Sequence, residues 1–179
     1  SIRGGQIVLS VNDAVLTTLT TSQTPGLPET ISLGPGSSIV TSNSGTDFGV
    51  EVQLTASNVR MNGAFVSTQT DGAERGGDVT VTADRVTLEQ FAGIFTGSGG
   101  EGAGGDVIIQ GPKEAGGAAT SVVLSDLTTI GSSTFGSGVG GKISITAKSL
   151  DLKEFSTINS STNGSGPNGD IVVSVQDAR

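Results

Sequence analysis

Six short segments alternate aliphatic and polar residues on a single template: Gln6-Ile7-Val8-Leu9-Ser10-Val11, Glu51-Val52-Gln53-Leu54-Thr55-Ala56, Asp78-Val79-Thr80-Val81-Thr82-Ala83, Asp106-Val107-Ile108-Ile109-Gln110-Gly111, Lys142-Ile143-Ser144-Ile145-Thr146-Ala147 and Asp170-Ile171-Val172-Val173-Ser174-Val175. The second and fourth residues of each are aliphatic, the period of two expected of a strand with one buried face. Their starts differ by 45, 27, 28, 36 and 28 residues. The basic repeat is therefore 27 to 28 residues, lengthened by insertions at about residues 12–30 and 111–119.

A second strand follows in each repeat, with apolar pairs Ile31 and Leu33, Val59 and Met61, Val86 and Leu88, Val122 and Leu124, Leu150 and Leu152. A third begins at Ile39, Val66, Ile94, Ile130 and Ile158, each followed two residues later by Thr or Ser. Glycine-rich strings such as GSGGEGAGG and STNGSGPNG then close the unit. No helical periodicity competes. The pattern predicts an all-β parallel β-helix, or β-solenoid, across residues 1–179. It would have three short strands and about 28 residues per coil, in five to six rungs. One coil cannot stand alone, because ordering its backbone costs more than its few buried aliphatic side chains return. Stacking would align Ile7, Val52, Val79, Val107, Ile143 and Ile171 in one inward column and Leu9, Leu54, Val81, Ile109, Ile145 and Val173 in the next.

Composition narrows the chemistry. His, Cys, Trp and Tyr are absent, which excludes a histidine-based triad, a thiol nucleophile, a disulfide and a zinc site of nitrogen and sulfur ligands. With 15% charged residues and a slightly positive mean hydropathy, the chain lacks the profile of disorder. A net charge of −8 argues against nucleic acid or an anionic membrane as the main partner, since both need basic clusters. No apolar run is long enough to span a membrane, so no direct membrane insertion is expected. The start Ser-Ile-Arg, without Met or a signal-type apolar segment, is expected of a piece of something longer.

The strings GGDVTVTADRVTL (76–88) and GGKISITAKSLDLKEFSTINSSTNGSGPNGDIVVSV (140–175) resemble the repeats of large bacterial exoproteins of the filamentous-haemagglutinin type, cyanobacterial ones among them. The resemblance covers about residues 31–175 and 5–11. It implies a right-handed parallel β-helical shaft, two-partner secretion through an outer-membrane barrel, and a place outside the cell as adhesin or surface stalk. The implied partners are a host or neighbouring cell surface, a glycan or matrix. The family's secretion domain carries Asn-Pro-Asn motifs, and here the one Pro-Asn is Pro167-Asn168 in a turn. The resemblance thus places the chain in the shaft.

The first template position holds Gln6, Glu51, Asp78, Asp106, Lys142 and Asp170. Glu51, Asp78 and Asp106 would lie on consecutive rungs about 4.8 Å apart, a candidate column for Ca²⁺, which takes carboxylate and carbonyl oxygens. The competing expectation is that these acids accept hydrogen bonds from turn amides and that Lys142 pairs with Asp106 and Asp170. No other cofactor is expected. The same acids beside Arg60, Arg75 and Arg85 have the composition of a polysaccharide-cleaving site, but any ladder of acids meets the required carboxyl spacing. Catalysis is therefore not the leading expectation.

Both insertions are expected to leave the shaft at one corner, as binding loops or as neutral additions. Phe91 and Phe155 share a template position and read as core or corner filling. Phe65 and Phe95 lie close to the third strand, and Phe48 and Phe135 are expected to pack over turns. Thr41, Thr68, Thr96, Ser132 and Ser160 are expected to form hydroxyl ladders along the stack, or to accept O-glycans. Neither end reads as a cap, which predicts either a continuing shaft or end-to-end self-association.

Overall fold

The computed structural model describes residues 6–10, 19–20, 30–43, 49–112 and 117–178. Among them every regular element is a strand: β1 (Gln6–Ser10), β2 (Leu19–Thr20), β3 (Thr30–Leu33), β4 (Ser38–Asn43), β5 (Val52–Thr55), β6 (Asn58–Asn62), β7 (Phe65–Thr70), β8 (Val79–Thr82), β9 (Arg85–Glu89), β10 (Gly93–Ser98), β11 (Val107–Gln110), β12 (Ala119–Leu124), β13 (Thr129–Thr134), β14 (Ile143–Leu152), β15 (Thr157–Thr162) and β16 (Ile171–Ala178). All their pairings are parallel and link one coil to the next. The chain is a β-solenoid of about five turns, with three walls.

The first wall stacks β2, β5, β8, β11, the start of β14 and β16; the second stacks β3, β6, β9, β12 and the end of β14. β14 bends through both, which joins them into one sheet. The third wall is β1, β4, β7, β10, β13 and β15. In the first wall Val52, Val79, Val107, Ile143 and Ile171 register in turn, with steps of 27, 28, 36 and 28 residues. The second-strand apolar residues and the third-strand Ile39, Val66, Ile94, Ile130 and Ile158 register likewise. Apart from the exposed Ile171 and Leu152, and Ile158, which is partly buried against the rest, their side chains form one continuous core, as period-two alternation requires when only one face of each strand is sealed.

Gln6–Ser10 departs from expectation. β1 lies in the third wall, with Ile7 opposite Ile39 and Leu9 opposite Thr41. The first-wall place is taken by β2, whose Leu19 and Thr20 register with Leu54 and Thr55. A two-residue period is the same in all three walls, so the pattern locates a strand without saying which wall it joins. Of the insertion expected over residues 12–30, only Leu19, Thr20 and Thr30 are described, and all three are strand. Residues 113–116 of the second insertion also lie outside the described set. Its base closes on itself, as Gly117 N donates to Pro112 O and Gly111 N to Gly117 O.

The third wall is latched to the glycine turns from inside. Thr41 Oγ1 donates to Val50 O (3.1 Å), Thr68 to Gly77 O (2.6 Å), Thr96 to Gly105 O (2.6 Å), Ser132 to Gly105 O (3.0 Å) and Ser160 to Gly141 O (2.8 Å). The expected hydroxyls stand in register, but they bond to turn carbonyls instead of to one another, Thr41, Thr68 and Thr96 within their own coil and Ser132 and Ser160 to the turn of the preceding one. Thr41, Thr68, Thr96 and Ser132 are buried and closed to glycan attachment in the folded chain. Further along the same wall the hydroxyls of Thr70, Ser98 and Thr134 are buried without a hydrogen-bond partner, small enough to fill the corner against the turn.

Backbone stacks directly on backbone in those turns. A Cβ on Gly105 would collide with Gly77 O, and one on Gly141 with Gly105 O. Two outcomes follow from this packing. Thr68→Val, which keeps the shape but strips Gly77 O of its partner, is expected to lower unfolding free energy by about 1–3 kcal/mol in urea titrations. The outward Thr80→Val should stay within about 0.5 kcal/mol.

Candidate functional site

The acid column sits where the glycine turn enters the first wall. Each aspartate leans one rung along the axis: Asp106 N donates to Asp78 Oδ1 and Lys142 N to Asp106 Oδ1, both at 2.7 Å. This satisfies turn amides that would otherwise be unpaired. Arg75 lies across both carboxylates, with Nη1 2.5 Å from Asp78 Oδ1 and Nη2 2.8 Å from Asp106 Oδ2. Burial pulls the Arg75 pKa down, but the Asp78 and Asp106 carboxylates outweigh it and the net shift is upward. The guanidinium stays charged.

Glu51 stands apart from this pair, its Oε1 accepting from Gln53 Nε2 at 2.8 Å. Among the described residues no group of three acids converges on a point a cation could occupy. Lys142 meets Asp106 through its amide, and its ammonium forms no ion pair with Asp106 or Asp170. Arg75 has taken that role, because its planar fork reaches two rungs at once. Arg60 pairs with Glu89 on the second wall at 2.7 Å. Arg85 is exposed and makes no ion pair among the described residues.

The corner between the second and third walls holds an unexpected feature. Gln90 and Phe91, Asp126 and Leu127, and Glu154 and Phe155 all have positive φ, a conformation that costs a non-glycine residue about 1–2 kcal/mol. Ala92 N donates to Glu89 O and Ser156 N to Lys153 O, closing tight turns of the mirror-image type. The amides exposed by these turns bond along the axis, Phe91 N to Asp126 O and Leu127 N to Glu154 O, both at 2.9 Å. Stacking thus holds a geometry that one turn would not keep.

Phe91 and Phe155 are consequently not core residues. They and Leu127 form an outward ridge, with Phe155 87% exposed, around an open hollow of about 550 Å³ that also touches Gln90, Asp126 and Glu154. Phe135 is exposed in its turn and does not pack over the corner, while Phe48 lies outside the described residues. Phe65 and Phe95 face outward from the third wall, ring centroids 6.2 Å apart. Sequence reasoning placed these rings near strands but missed their direction. The available signal was the run of small residues beside them, Gly93, Gly97 and Gly131, since glycine inside a strand marks close approach.

Compared with protein-family models, curated proteins and solved structures, the chain matches none.

Because Arg75 already pairs with both Asp78 and Asp106 and turn amides donate to both carboxylates, millimolar CaCl₂ is expected to leave the melting temperature unchanged. A rise that grows with calcium concentration would establish metal binding.

A second outcome concerns the corner. The hydrogen bond and charge of Asp126 raise the Glu154 pKa. An acid with a raised folded pKa contributes its full stability below the unfolded pKa and loses it as pH rises through the folded value. Glu154→Gln should therefore melt no lower than wild type at neutral pH, and the repulsion it removes should be absent from wild type below about pH 4. Melts across that range check the sign.

Proposed function

We propose that the chain is a non-enzymatic, adhesive and structural module of a bacterial exoprotein shaft, secreted and displayed at the outer surface of the cell. The observation that carries this reading is how the acids are used. Asp78 and Asp106, the best candidates for chemistry, are bound by Arg75 and by turn amides as parts of the stacking. What remains accessible is three rigid walls and their corners, suited to presenting a surface. The resemblance of GGDVTVTADRVTL and its sister strings to filamentous-haemagglutinin-type repeats supports the same reading and supplies the two-partner export route. A glycan, a matrix or a neighbouring cell is the corresponding partner.

A second reading is end-to-end assembly, in which coils of two copies would seal one another as Ile143 and Ile145 are paired with Ile171 and Val173 within the chain.

Beads coated with the chain are expected to retain bacterial or host cells above albumin-coated beads. Retention at the albumin level would sink the adhesive reading. Incubation with polygalacturonate should release no new chain ends; release that disappears in Asp78→Asn or Asp106→Asn would instead make the chain a polysaccharide-active enzyme. Sedimentation showing only monomers at high concentration would remove the filament.

A further inference from the structure

The third wall differs from the other two. No outward position of β4, β7, β10, β13 or β15 carries a charge, in a chain of net charge −8. The second wall carries Arg60, Arg85, Glu89 and Asp151. The first wall is uncharged on its outward strand positions, but it is bordered by the acid column and has no aromatic ring. Only the third wall combines neutrality with aromatic surface.

The rings lie down on this wall. Phe95 is opposite Ser67 on one side and Gly131 on the other. A Cβ on Gly93 would run into its ring, and one on Gly131 would come within 3.3 Å of it. The two glycines make the space in which Phe95 packs close to the sheet, beside Phe65 at an interplanar angle of 27°.

Next to it is a groove of about 110 Å³. Gln69, Gly97 and Ser133 register across three rungs, and the glycine leaves a gap between an amide and a hydroxyl. Phe95 and Phe135 wall the gap and Ser67 lies at its side. Gln69 Nε2 donates to Asp71 Oδ1 at 3.1 Å, which leaves the Gln69 carbonyl oxygen to accept.

We propose that this groove and the adjoining Phe65–Phe95 surface bind an uncharged polysaccharide running along the solenoid axis. A sugar ring offers C–H groups on its faces and hydroxyls around its rim. The negative face of an aromatic ring attracts the former, and Ser, Gln and backbone groups match the latter. An acidic polymer would meet no cation on this wall and would be repelled by the acidic chain. An apolar protein partner would leave the flanking hydroxyls and amide unpaired. The inference gives a ligand class to the adhesive reading and rests on it.

The test is native electrophoresis of the intact chain in gels containing hydroxyethylcellulose, galactomannan or mixed-linkage glucan, with polygalacturonate as the acidic comparison. At least one neutral polymer should retard the chain, and polygalacturonate should not. Phe95→Ala should weaken retardation by about tenfold. Gly97→Val should also abolish most of it, since a Cβ there meets only Ser133 O, at an ordinary 3.5 Å, so the groove fills while the melting temperature holds. Phe155→Ala, on the distant corner ridge, should bind as wild type. The proposal is overturned if no neutral polymer retards the chain, if polygalacturonate does so equally, if folded Gly97→Val binds as wild type, or if Phe155→Ala loses as much as Phe95→Ala. Cell attachment that persists without polysaccharide binding would overturn this inference alone, and polysaccharide binding without cell attachment would overturn the adhesive reading alone.

Discussion

Each coil of this protein is sealed only by the coils beside it, and that dependence governs everything else. A wall strand of four to six residues has both its edges paired to neighbouring rungs. Its inward residues rest on like residues one repeat away, as Val79 does between Val52 and Val107. The stack therefore tolerates local geometry that would fail in isolation. Six non-glycine residues with positive φ persist at one corner, where the amides of Phe91, Asp126 and Leu127 bond to the next turn, and the glycine turns persist because nothing larger fits between successive backbones.

The same dependence accounts for the polar groups. Side chains that would serve chemistry in another setting are here engaged in registering the coils. Thr68 and Thr96 fasten the third wall to the turn across the interior, the aspartates carry hydrogen bonds from rung to rung, and Arg75 ties two of them. With these polar groups engaged in alignment, the solenoid presents the outward surfaces of its walls to solvent. These are not equivalent. The charged second wall carries the Arg60–Glu89 pair and the exposed Arg85, the acid column edges the first, and the third is neutral with rings lying along it.

Much of the fold was legible in the sequence, and the reason is periodic. A residue every two positions facing inward, repeated every 27 or 28, leaves little freedom in register once one strand is placed. Val52 through Ile171 and Ile31 through Leu150 were read correctly for that reason. Gln6–Ser10 was misplaced because its alternation fits any wall, and only pairing with Ser38–Ser42 decides among them. The acids and the amides they accept from were found by the same periodicity, yet their ion pairs were not: Arg75 lies in the irregular turn, where no repeat fixes direction.

By itself the sequence determined the architecture, the inward columns and the spacing of the coils, because stacking rewards each local choice with the same contact on every rung. Only the tertiary structure decided where side chains off that lattice point. It turned Phe91 and Phe155 outward on a positive-φ corner, laid Phe95 against glycines in neighbouring rungs, and sent the Thr and Ser hydroxyls across the coil. In each case the outcome depends on a residue one or more rungs away, or on the opposite side of the coil, which alternation along a single strand does not encode.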